Sequence, residues 1–421
     1  MKRNLSILIM VLLVLATVAG STIAKETIVV VTPSNGAPGA ERVKRIFESK
    51  FDATIEIVTQ AYNLTHEKIV TAAASGSAGY DVIPADTVYI PSYVEAGFLT
   101  PLDSYIPKDY LNDITAGSLK EMTYKGKIYA LGGGTANKYL FYNTQILRKA
   151  GFNAPPKTWE ELINMSQVIQ RKGLAKYGIA WGWSQGEGLM CDYNIFLRLF
   201  KGDYKLGDKW VVNTKEAVEA LQFMADTIYK YKIADPASTS LDDREVLNSF
   251  LKGDIPFVLG WPFGWVWAKD PTKSRVVDSV EIALVPGLKK TGVVSASTSG
   301  ASGLAILSSS KNKALAWEYI RIATSPEVQK YNMQLEHNQN ISLKSVYDDP
   351  ELLAKFPELK VMRKQTEYSF PRPRVAWYPQ FSETLRVEIH KALTGIAKPK
   401  QALDEAQKKI DVLARQFDRH R

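Results

Sequence analysis

Tryptophans concentrate directly after predicted strands in this chain of 421 residues. Trp181 and Trp183 follow one such strand, and Trp261 and Trp265 follow another in a turn rich in glycine and proline. Ligands of open α/β sheets bind beyond the carboxyl ends of strands. An indole has an apolar face and a polar edge, which suits the C–H face and hydroxyl rim of a sugar ring. We predict ligand contact by these rings, with packing in a core as the alternative. The predicted ring contacts are Trp181, Trp183, Trp261, Trp265, Trp377 and Tyr378.

A serine-centred pattern offers a second kind of chemistry. Residues 182–186 have the sequence GWSQG, the spacing of the G-x-S-x-G turn that exposes a nucleophilic serine between a strand and a helix. Ser184 would then need a histidine as its base, and His337 or His390 would have to supply it. Residues 131–134 lack the histidine that esterases place before their oxyanion-hole glycines. A secreted serine hydrolase therefore remains a distant alternative.

Metal and cofactor signals are lacking in the sequence. Its four histidines and one cysteine include no pair at metal-ligand spacing, and no HExxH or CxxC pattern occurs. We therefore expect no metal and no cofactor. Cys191 cannot form an intramolecular disulfide, and we expect it to be a small buried hydrophobic residue.

Strand-like runs alternate with amphipathic helical patterns, which predicts an α/β architecture with largely parallel sheets. Helix starts are predicted at Thr158, with Glu161 completing a capping box, and at Asn213 with Glu216. No long flexible linker occurs, so we expect two lobes connected by short structured crossings. The predicted strands are residues 28–31, 55–58, 82–85, 178–181, 256–260, 282–285 and 303–307.

The N-terminus has the features of a secretory signal peptide. Lys2 and Arg3 precede an apolar run over residues 5–18, and small residues lead to Ala24. We predict cleavage after Ala24 and a periplasmic or extracellular protein; a retained anchor helix is the alternative. Because no cysteine lies near the cleavage site, we expect no lipid anchor.

The charge distribution argues against nucleic acid as a partner. The net charge is +9, but it is spread thinly and no run of five like charges occurs. The length is sufficient for a large core divided between two lobes.

Several segments follow one another in a distinctive order over nearly all of the predicted mature chain. In this order they resemble the extracellular solute-binding subunits of ABC importers, in the family that includes maltose- and other sugar-binding proteins. The segments are YDVIPADTVYIPSYVEAGFLTPLDSYI, YKGKIYALGGG with LFYNTQILRKAGF and PPKTWEEL, FLKGDIPFVLGWPFGW, TSGASGLAI with KNKALAWEYIRIATSPEVQ, RPRVAWYPQFSETL, and ALTGIAKPKQALDEAQKKI.

The resemblance implies a bilobal periplasmic-binding-protein fold (type II), with two α/β lobes joined by a multi-crossing hinge. The first lobe would comprise residues 25–136 and 300–345, and the second residues 137–299 and 346–421. It also implies a non-catalytic receptor that delivers a mono- or oligosaccharide to an ABC importer by cleft closure. The implied partners are a sugar and the membrane permease subunits, and we expect a monomer.

The resemblance also implies a set of cleft residues. For Asn35 and Asp86, helix capping is the alternative role. The same fold could bind another solute, or an acidic sugar through Arg372 and Arg374, because guanidinium groups bind carboxylates. The implied cleft residues are Ser34, Asn35, Gln60, Tyr62, Asp86, Thr135, Asn137, Trp261, Trp265, Ser299, Gly300, Arg372, Trp377 and Tyr378.

Overall fold

The computed structural model describes residues 25–76, 79–132, 134, 136–336 and 341–418. The predicted signal peptide, Thr135 and His337 lie outside these residues, and so does the side chain of Asn35. Within the described part of the chain, no helix combines the length and the apolar character needed to cross a membrane.

The secondary structure alternates between strands and helices along the chain. The strands are β1 (Glu26–Pro33), β2 (Ala53–Gln60), β3 (Val82–Asp86), β4 (Thr123–Tyr124), β5 (Lys127–Ile128), β6 (Tyr139–Asn143), β7 (Lys205–Leu206), β8 (Lys209–Trp210), β9 (Phe257–Gly260), β10 (Val280–Ala283), β11 (Ser297–Thr298), β12 (Ser302–Ile306) and β13 (Ser369–Phe370). The helices are α1 (Ala37–Lys50), α2 (Tyr62–Ala74), α3 (Ile90–Glu95), α4 (Lys108–Asp113), α5 (Ala116–Met122), α6 (Thr144–Ala150), α7 (Trp159–Arg171), α8 (Glu187–Leu199), α9 (Lys215–Tyr229), α10 (Asp243–Leu251), α11 (Pro262–Ala268), α12 (Lys313–Ala323), α13 (Pro326–Glu336), α14 (Lys344–Tyr347), α15 (Pro350–Lys355), α16 (Glu358–Thr366), α17 (Tyr378–Leu393) and α18 (Pro399–Asp418). Short 3-10 turns cover Ser34–Gly36 and Pro236–Thr239.

The first lobe is built on a sheet of strand order β12-β3-β1-β2. β1 pairs in parallel with β2 and β3 because α1 and α2 carry the chain back between these strands. β12 runs antiparallel to β3. β12 enters this sheet from the other lobe. Within the described residues no single helix connects it to the neighbouring strand, so it is not part of a βαβ unit, in which the two strands run parallel.

The second lobe is built on a sheet of strand order β10-β6-β9, in which both pairings are antiparallel. The prediction of largely parallel sheets is therefore wrong for this lobe. Its central strand β6 is buried along its whole length and enters from the first lobe. Our strand predictions missed β6. The predicted strand at residues 178–181 forms only isolated bridges, from Ile179 to Ala234 and Phe257.

Each sheet has its own hydrophobic core. Ile28, Phe47 and Ile55 belong to a cluster around the first sheet, whereas the cores of the second lobe are separate clusters. Val88, which follows β3 of the first lobe, is buried in a cluster of the second, so the two lobes touch. The exact lobe boundaries stay a prediction; Leu359, beyond residue 345, still packs with the first-lobe cluster.

The chain crosses between the lobes on adjacent extended segments. β11 pairs in parallel with β13, and Asn137 forms an antiparallel bridge with Ser299. The Gly300 amide donates to the carbonyl oxygen of Ala136 at 2.8 Å. This cross-linked set of segments is the hinge that the family resemblance implied.

Two predicted helix starts differ from the structure in detail. Thr158 caps α7 by accepting from the amide of Glu161 at 3.3 Å, but the Glu161 carboxylate accepts from the Lys157 amide, so the capping box is incomplete. Thr214, not Asn213, caps α9. The Asn213 amide group instead donates to Asp404 at 2.7 Å, a contact between elements that the local sequence pattern did not reveal.

Candidate functional site

Polar side chains gather where β1, β2 and β3 end, at the carboxyl edge of the first sheet. The Ser34 hydroxyl donates to the carbonyl oxygen of Gln60 at 3.1 Å. Gln60 is buried, and its amide nitrogen donates to the Tyr80 hydroxyl at 3.1 Å. Its Oε1 accepts from none of the described residues. Buried polar atoms are nearly always hydrogen-bonded, so this buried oxygen lacks a donor that a ligand could supply.

Asp86 ends β3 and is almost fully buried. Its carboxylate accepts from the Tyr62 hydroxyl at 2.7 Å and from the Val88 amide at 3.2 Å. The Val88 bond closes a local turn, while α3 begins only at Ile90, so Asp86 does not cap that helix. Burial raises the pKa of Asp86, and the positive charge of Arg372 opposes that rise.

An aromatic wall on the first lobe adjoins Asp86, and our sequence predictions named only Tyr62 of it. His66 stacks on Tyr89 with ring centroids 4.1 Å apart. Its Nδ1 lies 2.9 Å from the Tyr93 hydroxyl, and burial lowers the pKa of the imidazole. These rings border a small cavity together with Tyr62 and Asp86. The sequence did contain a signal for this wall. Tyr62 and His66 are four residues apart at the start of one helix, and Tyr89 and Tyr93 are four residues apart at the start of the next, a spacing that places both rings of a pair on one helix face.

Arg372 connects the two lobes through a cluster of ionisable side chains, which we call the Arg372 cluster: Asp86, Arg372 and Glu187. The guanidinium donates from Nη1 to Glu187 at 2.6 Å and from Nη2 to Asp86 at 3.5 Å. The Arg372 side chain is only 2% exposed. Glu187 also accepts from the Tyr378 hydroxyl at 2.8 Å and from Ser382. Arginine suits such a position because its planar group can serve two carboxylates.

The position of Glu187 follows from the start of α8. Gly186 precedes the helix without a side-chain cap, and Glu187 occupies its first turn, where a negative charge is favoured by the helix dipole. We did not predict this residue. Its only local signal was an acidic residue at a helix start, a feature that many structural helices share.

A second cluster, the Lys138 cluster, comprises Lys138, Asp192 and Asp243 and lies inside the second lobe. Lys138 Nζ is 2.7 Å from Asp192 and 2.8 Å from Asp243, and the lysine is fully buried. Burial works against the charge of Lys138, but the two carboxylates raise its pKa above the usual value. Burial likewise raises the pKa of Asp192 to about 6, against the lowering effect of Lys138.

Trp261 is attached to this cluster and faces the hinge. Its indole N–H donates to Asp243 at 2.8 Å, and Lys138 Nζ lies 5.4 Å from its ring centroid. A Cβ added to Gly300 would lie 2.6 Å from the ring, so only glycine lets the indole approach the crossover so closely. The ring is partly exposed. Trp261 is therefore held rigidly and still offers a surface.

Five other predicted ring contacts lie in the cores. Trp181 and Trp183 are 1% and 0% exposed and stack with centroids 4.6 Å apart. Their indole N–H groups donate to Thr227 and Asp192. Trp265 and Trp377 are each 4% exposed. The alternative of core packing thus describes these rings in this structure, because a buried indole whose N–H is satisfied offers no face to a ligand. The five rings are Trp181, Trp183, Trp265, Trp377 and Tyr378, and Tyr378 is 0% exposed.

The hinge residues that were predicted to line the cleft are buried. Asn137 accepts from the Ser369 hydroxyl at 2.5 Å. The Ser299 amide donates to the carbonyl oxygen of Phe370 at 3.1 Å, and its hydroxyl has no hydrogen-bond partner among the described residues. The structure therefore brings most of the predicted polar residues to the strand ends and crossings, while ligand contact itself stays a prediction. Those so placed are Ser34, Gln60, Tyr62, Asp86, Asn137, Ser299, Gly300 and Arg372.

The contacts around Ser184 do not assemble a serine triad within the described residues. His390 places one ring nitrogen 2.9 Å from the carbonyl oxygen of Thr239 and the other 3.3 Å from the Gln185 amide. Neither nitrogen bonds Ser184, whose amide donates to Leu241. Cys191 is buried as predicted, and burial raises the pKa of its thiol to about 12. Across the described ranges, no three acidic, histidine or cysteine side chains form a metal-binding group.

Residues 33–330 match the family described as bacterial extracellular solute-binding protein. The chain belongs to this family. That membership confirms the resemblance inferred from the ordered segments and agrees with an exported protein.

Individual relatives and structures extend the comparison. The chain is 29% identical over 314 residues to a Deinococcus radiodurans protein named "Probable ABC transporter-binding protein", covering 72% of this chain and 73% of the relative. It is 25% identical over 292 residues to a maltotriose-binding protein of Pyrococcus abyssi, covering 68% and 60%. A maltose-bound T. maritima MalE3 structure superimposes with a TM-score of 0.85 at 28% identity, covering 92% of this chain and 99% of that one. The bilobal α/β fold is confirmed.

Proposed function

We propose that this protein is a non-catalytic receptor that binds a mono- or oligosaccharide between its lobes and delivers it to an ABC importer. Family membership and similarity to proteins described as binding maltose or maltotriose support this function. Cleavage after Ala24, a soluble mature form without a lipid anchor and a monomeric state belong to the same proposal.

The observation that carries it is the convergence of polar side chains from both lobes near the hinge, where Trp261 offers a partly exposed indole. Asp86 and Gln60 end strands of the first sheet, and Glu187 begins a helix of the second lobe. Trp261 contributes a partly exposed indole near the hinge. Hydroxyl groups of a sugar can donate to the carboxylates and to Gln60 Oε1, while its C–H face can lie on the indole.

Closure follows from ligand contacts with both lobes. A sugar that bonds Asp86 and the second lobe together has a higher affinity for the closed arrangement and shifts the equilibrium toward it. The segments that cross between the lobes permit a hinge movement without independent tumbling. The permease subunits would then recognise the closed shape.

The contacts of two arginines favour an uncharged sugar over an acidic one. Arg372 is already bonded to two carboxylates, and Arg374 donates to the carbonyl oxygens of Lys120 and Thr123 at 2.7 and 2.8 Å. An acidic ligand would have to displace these partners and would also meet the negative charges of Asp86 and Glu187. We therefore infer a neutral ligand.

The test combines extraction with titration. Small molecules released by denaturing the purified protein are identified by mass spectrometry, and the refolded protein is titrated calorimetrically with glucose, maltose, maltotriose, mannitol, glucuronate, amino acids and polyamines. We expect binding of a neutral sugar and its recovery unaltered, with the Ser184→Ala variant binding equally well. Binding of an amino acid or polyamine without measurable binding of any sugar would contradict the proposal, and so would recovery of a cleaved sugar.

A further inference from the structure

The backbone that carries Arg372 is anchored to the second lobe and the hinge. The carbonyl oxygen of Phe370, two residues earlier, accepts from the Asn194 side chain of α8 at 3.0 Å and from the Ser299 amide at 3.1 Å. Arg372 also bonds Glu187 of the same helix at 2.6 Å. These contacts lie on one side of the cleft, so opening of the lobes leaves them intact.

The remaining contacts of this segment cross to the first lobe. Arg372 reaches Asp86 at 3.5 Å, and Arg374 reaches the carbonyl oxygens of Lys120 and Thr123. Two arginines, separated by one residue, therefore hold the same lobe from a segment that belongs to the other. Val88, two residues after Asp86, packs in the second-lobe core beside this crossing.

We propose that Arg372 is a tie between the lobes: it pairs permanently with Glu187 and, on closure, with Asp86, and so favours the closed arrangement before any ligand binds. The proposal rests on the closing mechanism of the proposed function but not on the identity of the ligand. It also gives Arg372 a protein partner in place of an anionic ligand group.

The geometry makes the tie weak enough to be reversible. Of the two Arg372 ion pairs, opening would separate only the longer one, to Asp86, together with the Arg374 hydrogen bonds to Lys120 and Thr123. Water would then hydrate both Asp86 and the Arg372 guanidinium. Since hydration of the separated charges offsets much of the attraction within a buried pair, the net preference for closure is small. We expect loss of the Asp86 contact to lower the ratio of closed to open protein about tenfold, within the usual range of coupling between conformational states.

The experiment uses the mature protein freed of bound molecules by unfolding, dialysis and refolding. Small-angle X-ray scattering compares the wild type with Asp86→Asn and Arg372→Met, with no ligand added. We expect both variants to have a larger radius of gyration than the wild type, and the double variant to expand no further than either single variant, because both remove the charge pair between Arg372 and Asp86.

Asp203→Asn provides a matched control. Asp203 pairs with Arg198 at 2.6 Å entirely within the second lobe, so its loss should leave the radius of gyration unchanged. If Arg372→Met fails to fold, Asp86→Asn decides the test. Equal radii for the wild type and Asp86→Asn would overturn the tie, and so would an equal expansion in Asp203→Asn. Failure of the tie is distinct from failure of the proposed function, which is judged by sugar binding.

Discussion

Two clusters of charged residues each include one residue of the same helix, α8, but the clusters lie in different surroundings. Glu187 of the Arg372 cluster and Asp192 of the Lys138 cluster stand five residues apart on α8. The Lys138 cluster lies wholly within the second lobe, where Lys138 and Asp192 are 0% and 1% exposed, so closure and opening need not separate its members. The Arg372 cluster includes Asp86 of the first lobe, so it is complete only when the lobes meet.

The difference separates residues that maintain the fold from residues that can respond to a ligand. A charge that is buried in every conformation must keep its partner, because removing that partner leaves it uncompensated. A charge that becomes exposed on opening can regain water. Loss of a partner should therefore lower stability in the Lys138 cluster and change affinity or closure in the Arg372 cluster.

The largest effect is expected for Lys138→Met. This substitution leaves the buried Asp192 and the partly exposed Asp243 without their shared cation. We expect the free energy of unfolding to fall by about 3–5 kcal/mol, as when one partner of a buried ion pair is removed. Urea unfolding followed by circular dichroism measures the loss. Lys391→Met, at a half-exposed lysine in the same lobe, is the control. A loss similar to that of the control would remove the distinction between the clusters.

The tryptophans give a parallel contrast. Trp181→Ala should lower the free energy of unfolding by about 3–5 kcal/mol, the usual range for deleting a large buried ring. Trp261→Ala should instead weaken sugar binding by about 1–3 kcal/mol, the scale of an aromatic anchor. Denaturant unfolding and calorimetric titration of both variants separate the two roles. Unchanged affinity in Trp261→Ala would refute its role as a stacking platform.

Asp86→Asn tests the ligand-facing side of the Arg372 cluster. Replacing the carboxylate weakens an acceptor for sugar hydroxyls, and we expect affinity to fall by about 1–3 kcal/mol, the scale of hydrogen bonds to charged groups. Stability should change by less than about 1 kcal/mol, because Arg372 retains Glu187. A stability loss as large as that of Lys138→Met would show that Asp86 belongs with the fold-maintaining charges.

The smallest effect concerns an ion pair outside both clusters. Burial would raise the pKa of Glu388, but the hydrogen bonds from Lys409 and Lys391 outweigh it and lower the pKa. A lowered carboxyl pKa stabilises the folded state above the unfolded value of about 4.3, and this contribution is lost as the pH falls through the folded value. Glu388→Gln should therefore lower stability by about 1 kcal/mol at pH 7. The difference should shrink as the pH falls below about 4.3 in thermal unfolding; a difference that stays constant through acid pH would contradict this cause.

The sequence could predict positions that depend on chain order, but not contacts between distant elements. Asp86 and Gln60 were predicted from the family resemblance, and the structure places both at strand ends along one edge of the first sheet. Lys138 and Glu187 were not predicted, since their partners lie 54 and 185 residues away and charged residues usually face water. The sequence also did not reveal that Trp181 packs in the core. Its indole N–H donates to Thr227 on another helix, and this hydrogen bond allows the tryptophan to be buried.

The most direct test of the account is small-angle X-ray scattering of the mature protein before and after saturation with the sugar recovered from it. Two lobes that close on a ligand predict a smaller radius of gyration in the saturated sample. They also predict a scattering curve that matches the present structure, in which Arg372 joins Asp86 to Glu187. A saturated sample no more compact than the ligand-free one, with a curve unlike that of this structure, would contradict closure on a sugar.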